Sequence, residues 1–281
     1  MPHRTAAGSR TPPPPVHAPG PGPGRPWHTV RARLEQDGNA VVTATWGEWL
    51  TAALADTALR PLLGPDWQRY RRTQDAAARY RFLASRMLIK YTAAAALRTD
   101  PAALDLAYKI GGRPFIRGFD QIDISLSHTE DLITVGISRT GRIGVDAEPA
   151  GRTISFEQLH RHMCTPAESA ELARMPQDRQ ASELLRLWTL KEAYAKALGQ
   201  GLRLGFTEFG FGLDSGVLTT HDGSPASRGA WSFATHLVLS GRYLVSTACQ
   251  DTGLDTARDT AAHTMLDQGI TGAVEEGLAA R

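Results

Sequence analysis

The order of the predicted secondary-structure elements is the feature that most restricts the fold. Apolar residues recur at helical spacing from about Asp66 to Leu97, and a second long helix is predicted from about Asp178 to Gly199. Shorter helices are predicted near 155–163 and 166–175. Strand-like segments follow each long helix, at Ile122–Leu126, Ile133–Ser138, Ile143–Glu148, 208–213, 231–239 and 242–249. We therefore expect an α+β chain (α/β-type) whose two similar halves form a pseudo-twofold, each a small sheet packed against a long helix.

The two ends of the chain differ in composition from the middle. Residues 1–27 are rich in Pro and Gly and cannot bury much apolar area, so we expect them to form a disordered leader. Residues 251–281 are polar and form a predicted tail. Between these ends, the predicted N-terminal half is 28–142 and the predicted C-terminal half is 143–250.

The overall composition argues against several classes of protein. The 281 residues have a formal net charge of +2, which is too small to indicate nucleic-acid binding. No run of about 18 apolar residues predicts a membrane span, and the N-terminus lacks the apolar core of a signal peptide. The two cysteines, Cys164 and Cys249, are too few for a disulfide framework. We therefore expect a cytoplasmic protein that binds neither nucleic acid nor membranes.

Two carboxylates share one face of the predicted strand Ile143–Glu148. Side chains alternate between the faces of a strand, so Asp146 and Glu148 point one way and the apolar residues point the other. Carboxylates at this spacing can converge on one divalent cation, and Mg²⁺ prefers such oxygen ligands. The alternative is a half-exposed strand with an acidic face in contact with water.

A lysine–glutamate pair interrupts the apolar face of the second long helix. Lys191 lies within the apolar stripe and Glu192 lies at its edge. The stripe consists of Leu184, Trp188, Ala195 and Leu198. Buried charges are costly unless they are paired or bind a ligand, so this pair indicates a functional site. The alternative is that both residues lie at the rim of the core, with the Lys191 side chain extended to water.

Ser127 and His128 follow a strand-like segment, and Arg113 lies in the tight turn Gly111–Pro114. Adjacent residues of an extended segment point apart, and no Gly-x-Ser-x-Gly sequence occurs, so we reject a nucleophile–base pair. These three residues suit phosphate binding instead. The alternatives are a hydroxyl cap and an ordinary surface turn. No Gly-x-x-x-x-Gly-Lys-Ser/Thr loop that would bind a nucleoside triphosphate occurs.

Together, these segments resemble the 4′-phosphopantetheinyl transferase superfamily, in its surfactin-type (Sfp-type) branch. The pattern of that family is a Gly-Arg/Lys-Pro turn, a Ser-His strand end, a Gly-hydrophobic-Asp-x-Glu strand and a Trp-x-x-Lys-Glu-Ala-x-x-Lys helix. This chain has them, in the same order, at Gly112–Pro114, Ser127-His128, Gly144–Glu148 and Trp188–Lys196. The resemblance covers residues 65–250, and its strand and helix motifs are the specific ones.

The resemblance implies a role for each matching position. Asp146, Glu148 and Glu192 would bind Mg²⁺, or Mn²⁺ in its place, at the junction of the two halves. Lys191 and Lys196 would contact phosphates of coenzyme A. The 3′-phosphate side of coenzyme A would be held by Arg113, Ser127 and His128, joined by one or more of Arg72, Arg79 and Arg81.

This chain departs from the family pattern at three of these positions. Ser125 stands where the family often has Asn, which puts a local hydrogen bond in doubt. Ala147 is smaller than the usual aliphatic residue between the two strand carboxylates. Arg113 stands where Lys is common, so the charge is kept.

The activity implied by the resemblance is a Mg²⁺-dependent transfer of 4′-phosphopantetheine from coenzyme A to a serine of an acyl or peptidyl carrier protein. Adenosine 3′,5′-bisphosphate would leave, stabilised by Lys191, and the pathway would be polyketide, nonribosomal peptide or fatty acid synthesis. The proton acceptor would be Glu192 or a metal-bound water. Glu168 is an alternative base, although a capping box at Thr165–Glu168 explains it structurally. Two halves in one chain imply a monomer, and the competing hypothesis is a non-catalytic coenzyme A-binding protein of the same fold.

Overall fold

The computed structural model describes residues 11–22, 24–55, 59–153, 156–226 and 231–252. The elements up to residue 138 are β1 (Val16–His17), α1 (Arg25–Gln36), β2 (Asn39–Thr45), α2 (Trp46–Ala55), α3 (Leu59–Leu63), α4 (Trp67–Arg72), α5 (Ala76–Leu97), β3 (Leu106–Tyr108), β4 (Pro114–Ile116), β5 (Asp123–Thr129) and β6 (Leu132–Ser138). Those that follow are β7 (Ile143–Pro149), α6 (Phe156–Met163), α7 (Pro166–Arg174), α8 (Gln177–Leu198), β8 (Phe209–Phe211), β9 (Leu218–Thr220), β10 (Trp231–Val238) and β11 (Tyr243–Gln250). Short 3₁₀ turns lie at Gly64–Asp66, Pro101–Ala103 and Gly201–Arg203.

The same succession of elements occurs in both halves of the chain. Each half has a strand, a helix of 22 residues, a small two-stranded sheet and an antiparallel hairpin. The first strand pairs antiparallel with the second strand of the hairpin, which gives the orders β2-β6-β5 and β7-β11-β10. Helix α5 packs against β6, and α8 packs against β7 and β11. The predicted mixed α+β class is confirmed, but the predicted order is wrong because the first strand of each sheet precedes its long helix.

The described residues of the predicted leader, 11–22 and 24–27, form ordered structure. Strand β1 extends the first sheet by pairing in parallel with β2. The indole of Trp49 donates to the carbonyl oxygen of Ala18 at 2.8 Å. The carbonyl oxygen of Pro12 lies 3.2 Å from Nε2 of His236, which belongs to β10. The prediction is therefore wrong for this segment, because its backbone finds hydrogen-bond partners in both halves.

Two other predictions concern the ends of the chain. Residues 1–10 of the predicted leader and 253–281 of the predicted tail lie outside the described residues.

Among the described residues, no helix has both the length and the apolar character needed to cross a membrane.

The first long helix begins later than the sequence predicts. Helix α4 ends at Arg72, and Asp75 caps α5 by accepting a hydrogen bond from the backbone N–H of Ala78 at 2.7 Å. The extended backbone at Asp75 divides the predicted helix in two. As a result, Arg72 lies on a different helix from Arg79 and Arg81.

The packing of α8 on β7 depends on the absence of a side chain at Gly144. A Cβ atom at this position would lie 1.9 Å from the carbonyl oxygen of Ala193, which is inside the contact distance of the two atoms. The helix can therefore approach the strand more closely than any other residue would allow. Helix α8 ends at Gly199, which is left-handed with φ of 71°.

Alternate side chains of β5 join this strand to β7. Residues two apart on a strand point to the same side, so Asp123, Ser125 and Ser127 face β7 together. Ser125, which stands where the family often has Asn, accepts a backbone hydrogen bond there. The three contacts are Ile143 N to Asp123 Oδ2 at 2.9 Å, Val145 N to Ser125 Oγ at 3.1 Å, and Ser127 Oγ to Asp146 Oδ1 at 3.0 Å.

Candidate active site

Three polar side chains meet where α8 passes over β5 and β7. The ammonium of Lys196 donates to Oδ1 of Asp146 at 2.6 Å and to Oγ of Ser127 at 3.1 Å. The Ser127 hydroxyl donates to the same Asp146 oxygen at 3.0 Å. Each residue comes from a different element, so this polar cluster of Ser127, Asp146 and Lys196 lies at the junction of the two halves.

The second carboxylate oxygen of Asp146 has an unusual environment. This atom, Oδ2, is buried and has no hydrogen-bond partner among the described residues. The whole residue is only 6% exposed. A buried acceptor without a partner costs on the order of 1–3 kcal/mol, so such an atom is a good candidate for a ligand contact.

Glu148 and Glu192 lie close enough to the polar cluster for their charges to interact. Burial raises the pKa of the Glu192 carboxyl, Asp146 and Glu148 raise it further, and Lys196 lowers it. Burial also raises the pKa of Glu148, which Arg152 partly offsets through an ion pair. Since like charges disfavour ionisation, a bound cation would relieve the repulsion among the three carboxylates.

The three carboxylates expected to bind a metal ion lie near one another, but they are not positioned to coordinate one. Within the part of the chain that the structure describes, no group of three His, Cys, Asp or Glu side chains is placed to hold a metal ion. Glu148 is paired with Arg152, and Oδ1 of Asp146 with Lys196. The all-oxygen donor set and the partnerless Oδ2 fit a hard cation such as Mg²⁺. Metal binding at these residues stays a prediction.

His128 lies at the end of β5 beside a group of cationic side chains. Partial burial lowers the pKa of its imidazole, and the positive charges of Lys196, Arg81 and Arg86 lower it further, against a backbone hydrogen bond that raises it. The imidazole is therefore harder to protonate than an ordinary histidine. The structure brings His128, Ser127, Lys196 and Arg81 into one region, where they can face an anion together.

Arg86 belongs to the same region, although the sequence did not single it out. Its guanidinium lies 4.0 Å from the ring centre of Phe82 and 4.5 Å from that of Tyr108, and its Nε pairs with Asp66 at 3.3 Å. Arg86 is buried on α5. A charged residue within the buried face of a helix is the signal that could have identified it.

The other two arginines of the prediction differ in their surroundings. Arg79 stacks over Tyr80 with 5.4 Å from guanidinium carbon to ring centre, and its buried Nε has no partner among the described residues. Arg72 is exposed at the end of α4. Arg81 and Arg86 are therefore close enough to His128 for their charges to lower its pKa, and no such interaction is found for Arg72 among the described residues.

Lys191 does not lie where the family resemblance implied. Its side chain is fully buried, and the ammonium donates to Oε2 of Glu168 at 2.7 Å. Three backbone carbonyls complete its surroundings, those of Met163 and Phe206 at 2.6 Å each and of Phe209 at 2.8 Å. An ammonium with four acceptors and no exposure cannot reach a cofactor phosphate, so the predicted phosphate contact is corrected to a structural role.

Glu168 is likewise used in the interior of the protein. The predicted capping box is present, with Thr165 N donating to Glu168 Oε2 at 2.8 Å and Glu168 N to Thr165 Oγ1 at 3.2 Å. The other carboxylate oxygen accepts the backbone N–H of Phe211 at 2.8 Å. Because Glu168 is 1% exposed and paired with Lys191, it is unsuited to the role of an alternative base.

The guanidinium of Arg113, which the resemblance assigns to the 3′-phosphate side of coenzyme A, contacts protein groups in the structure. Its Nε donates to Oδ1 of Asp123 at 3.2 Å, and its Nη2 donates to Oδ2 of Asp123 and to the Ile143 carbonyl, the latter at 2.7 Å. Its Nη1 donates to the Lys196 carbonyl. Asp123 was missed by the sequence analysis, yet its place two residues before Ser125 on one face of β5 was a usable signal.

Comparison with known proteins agrees with this geometry. Residues 142–248 match the family model described as the 4′-phosphopantetheinyl transferase superfamily. The chain is 30% identical over 127 residues to the 4′-phosphopantetheinyl transferase HetI of Nostoc sp., covering 44% of this chain and 54% of the relative. It is 34% identical over 161 residues to a phosphopantetheinyl transferase of Thraustochytrium sp., covering 52% and 56%. A 4′-phosphopantetheinyl transferase of Bacillus subtilis is 27% identical over 161 residues, covering 57% and 70%.

These matches cover only part of each chain. The chain spans little more than half the length of the first two relatives. The family match, however, runs from just before β7 almost to the end of β11. It contains Asp146, Glu148, Glu192 and Lys196, while Ser127 and His128 lie ahead of it. On these matches, residues 142–248 are similar to the 4′-phosphopantetheinyl transferase superfamily.

Proposed function

We propose that the protein transfers 4′-phosphopantetheine from coenzyme A to a serine hydroxyl of an acyl or peptidyl carrier protein. The observation that carries this proposal is the polar cluster of Ser127, Asp146 and Lys196, with the partnerless Oδ2 of Asp146, in a chain whose second half matches this superfamily. A cationic group and an oxygen donor set in one place suit a pyrophosphate and its metal counterion.

The divalent cation would be held by Asp146, Glu148 and Glu192. The donor set favours Mg²⁺, with Mn²⁺ as a close substitute. When bound, the cation would offset the negative charge of the pyrophosphate as its bond to the leaving group breaks. Glu148 would then exchange its ion pair with Arg152 for the cation.

The phosphate groups of coenzyme A would be bound by the residues that surround His128. Lys196 is 28% exposed in its side chain and can donate to a phosphate while keeping its contact with Asp146. Ser127 and the imidazole of His128 can donate hydrogen bonds to the 3′-phosphate. Arg81 supplies positive charge at the same place. One or both of Arg72 and Arg79, which precede Arg81 in the chain, would be additional phosphate contacts.

Glu192 is the proposed proton acceptor. The serine oxygen attacks the phosphorus that bears pantetheine, the bond from that phosphorus to the oxygen of adenosine 3′,5′-bisphosphate breaks, and the serine proton passes to Glu192. Holding the serine and the phosphorus in line would supply much of the acceleration.

The surfactin-type branch, and with it a role in polyketide, nonribosomal peptide or fatty acid synthesis, remains part of the proposal. One relative, from Eremothecium gossypii, is named L-aminoadipate-semialdehyde dehydrogenase-phosphopantetheinyl transferase. We also propose a cytoplasmic location and a monomer. The repeated order of elements supports the monomer, because the second half can supply what a symmetric partner would.

The test is incubation of the full chain with coenzyme A, Mg²⁺ and a panel of apo carrier proteins, read by intact mass. We expect a mass increase of one phosphopantetheine on at least one carrier, its loss with chelator, and its recovery on addition of Mg²⁺. Asp146→Asn and Glu192→Gln should abolish transfer, whereas the matched control Glu35→Gln, on the surface of α1, should not. Coenzyme A binding without transfer to any carrier would favour the non-catalytic alternative.

A further inference from the structure

A series of three hydroxyl groups connects the last two strands to α8. Oγ of Ser246 on β11 lies 2.7 Å from Oγ1 of Thr189 on α8 and 2.9 Å from Oγ1 of Thr235 on β10. Thr189 in turn donates to the carbonyl oxygen of Arg186 at 2.9 Å. The hydroxyl chain of Thr235, Ser246 and Thr189 therefore links both strands of the hairpin to one turn of the helix.

The carbonyl at one end fixes the direction of these hydrogen bonds. A carbonyl oxygen only accepts, so the hydroxyl hydrogen of Thr189 is directed to Arg186, and Thr189 accepts from Ser246. Ser246 then accepts from Thr235, and all three hydroxyl hydrogens are used. Thr189 and Ser246 are each 0% exposed. Because a buried hydroxyl that loses its partner is costly, the hydroxyl chain favours one position of the helix on the strand.

The contact between Thr189 and Ser246 lies beside two of the proposed metal ligands. In the antiparallel register of β7 and β11, Ser246 is directly opposite Asp146, so the two side chains lie on the same face of the sheet. Thr189 is three residues before Glu192 on α8, and residues at this spacing are neighbours on a helix surface. The contact therefore joins the strand position next to Asp146 to the helix turn that carries Glu192.

We propose that Thr189 and Ser246 are positioning residues for the transfer reaction, and that their contact sets the place of Glu192 relative to Asp146. Both residues are fully buried, so they act through the helix and the strand and not on a substrate. This inference rests on the proposed function for its catalytic consequence. A displacement of a reacting group by ~1 Å can reduce a rate by ~100-fold, so loss of the contact can lower turnover while substrate binding is kept.

The test uses substitutions that keep the shape of the side chain and remove its hydroxyl. Thr189→Val and Ser246→Ala should each lower kcat ~10-fold to ~100-fold, while KM for coenzyme A changes by less than ~3-fold. Thr247→Val is the matched control, because Thr247 is on the same strand, is 0% exposed and has a hydroxyl without a partner among the described residues. The control should match wild type, and Thr189→Ser, which keeps the hydroxyl, should recover most of the rate.

A double variant separates positioning from a general loss of stability. Thr189→Val leaves the buried hydroxyl of Ser246 without its acceptor, so it should lower the urea midpoint of unfolding. Adding Ser246→Ala removes that hydroxyl, and the double variant should recover part of the lost stability. A positioning role predicts that kcat stays low in the double variant. A kcat that returns to the wild-type value together with the stability would overturn the proposal.

A readout without turnover keeps the inference distinct from the proposed function. In protein labelled with ¹³C-lysine, the Lys196 side-chain resonance reports the position of α8 about two turns beyond Thr189. It should move in Thr189→Val and stay in place in Thr247→Val. An unchanged resonance in Thr189→Val would overturn the proposal whether or not wild type modifies a carrier. A moved resonance together with an inactive wild type would instead refute the proposed function alone.

Discussion

The ammonium of Lys196 lies 2.6 Å from Oδ1 of Asp146, although the two residues are 50 positions apart in the chain. The contact joins the last turn of α8 to β7 and leaves the other oxygen of Asp146 without a partner among the described residues. In the Asp146 carboxylate, Oδ1 thus accepts from the Lys196 ammonium, and Oδ2, which has no partner among the described residues, suits a metal ion. This division explains how a lysine and a metal ion could act on the same phosphate group.

Lys196→Met should abolish most of the transfer activity, because it keeps the length of the side chain and removes its charge. Loss of one donor to a transferring phosphate reduces kcat by ~100-fold or more, and Lys196→Arg should retain a larger share of the rate. The measurement is the initial rate with coenzyme A and an apo carrier. Lys109→Met is the matched control, since Lys109 is exposed on the turn after β3. A wild-type rate in Lys196→Met would contradict the role assigned to this residue.

The pKa of His128 should lie below its ordinary value of 6.5 and should rise in Lys196→Met, because the ammonium is one of the charges that lower it. A group that binds fewer protons in the folded state loses stability as the pH falls below its unfolded pKa. The contribution of His128 to the free energy of unfolding is therefore complete above pH 6.5. It is lost as the pH falls from 6.5 to the lower pKa of the folded state. NMR titration of the imidazole checks the first point, and urea unfolding of His128→Gln against wild type from pH 5 to 8 checks the second. A folded-state pKa above 6.5 would refute this account.

Lys191→Met should destabilise the fold by about 3–5 kcal/mol, because it leaves the carboxylate of Glu168 buried without its partner. The double variant Lys191→Met with Glu168→Gln should lose less than the sum of the two single variants. Urea denaturation gives the free energy of unfolding in each case. Lys109→Met again serves as the exposed control, and a loss in Lys191→Met no larger than in that control would contradict the structural role.

Gly144→Ala should move α8 away from β7, since the new Cβ atom would lie 1.9 Å from the Ala193 carbonyl oxygen. We expect a loss of ~2 kcal/mol or more in the free energy of unfolding, with a lower transfer rate in the protein that remains folded. Gly151→Ala is the matched control, because a Cβ atom there meets nothing within 4 Å. Equal stability of the two variants would show that the helix can shift without cost.

Much of the candidate site follows from local patterns in the sequence. The alternation in Ile143–Glu148 places Asp146 and Glu148 on one face of a strand, and β7 covers Ile143–Pro149 in the structure. The helical spacing of the second long helix agrees with α8, which ends where Gly199 supplies the left-handed cap. These features depend on residues close in sequence, so periodicity and capping rules can predict them.

The side-chain partners that local patterns do not predict are those distant in the chain. The argument that a charge inside an apolar stripe needs a partner was sound for Lys191, but spacing alone does not reveal that the partner is Glu168, 23 positions away. For Arg113, charge and a tight turn suggested an anion ligand, whereas Asp123 and the carbonyl of Lys196 use its donors. Local sequence identifies a residue that requires a partner, and tertiary packing decides which partner it receives.

The segment from Pro12 to Ala18 reaches β10 through His236 and β2 through the parallel strand β1, so it lies across the edges of both sheets. Its proline-rich backbone has little conformational entropy to lose on ordering, so the segment can connect the two sheets at a small entropic cost. A shortened protein that begins at α1 would keep all the site residues and still lose this tie between the halves. The stretch that looks most dispensable in the sequence is therefore one that truncation and tag placement should leave untouched.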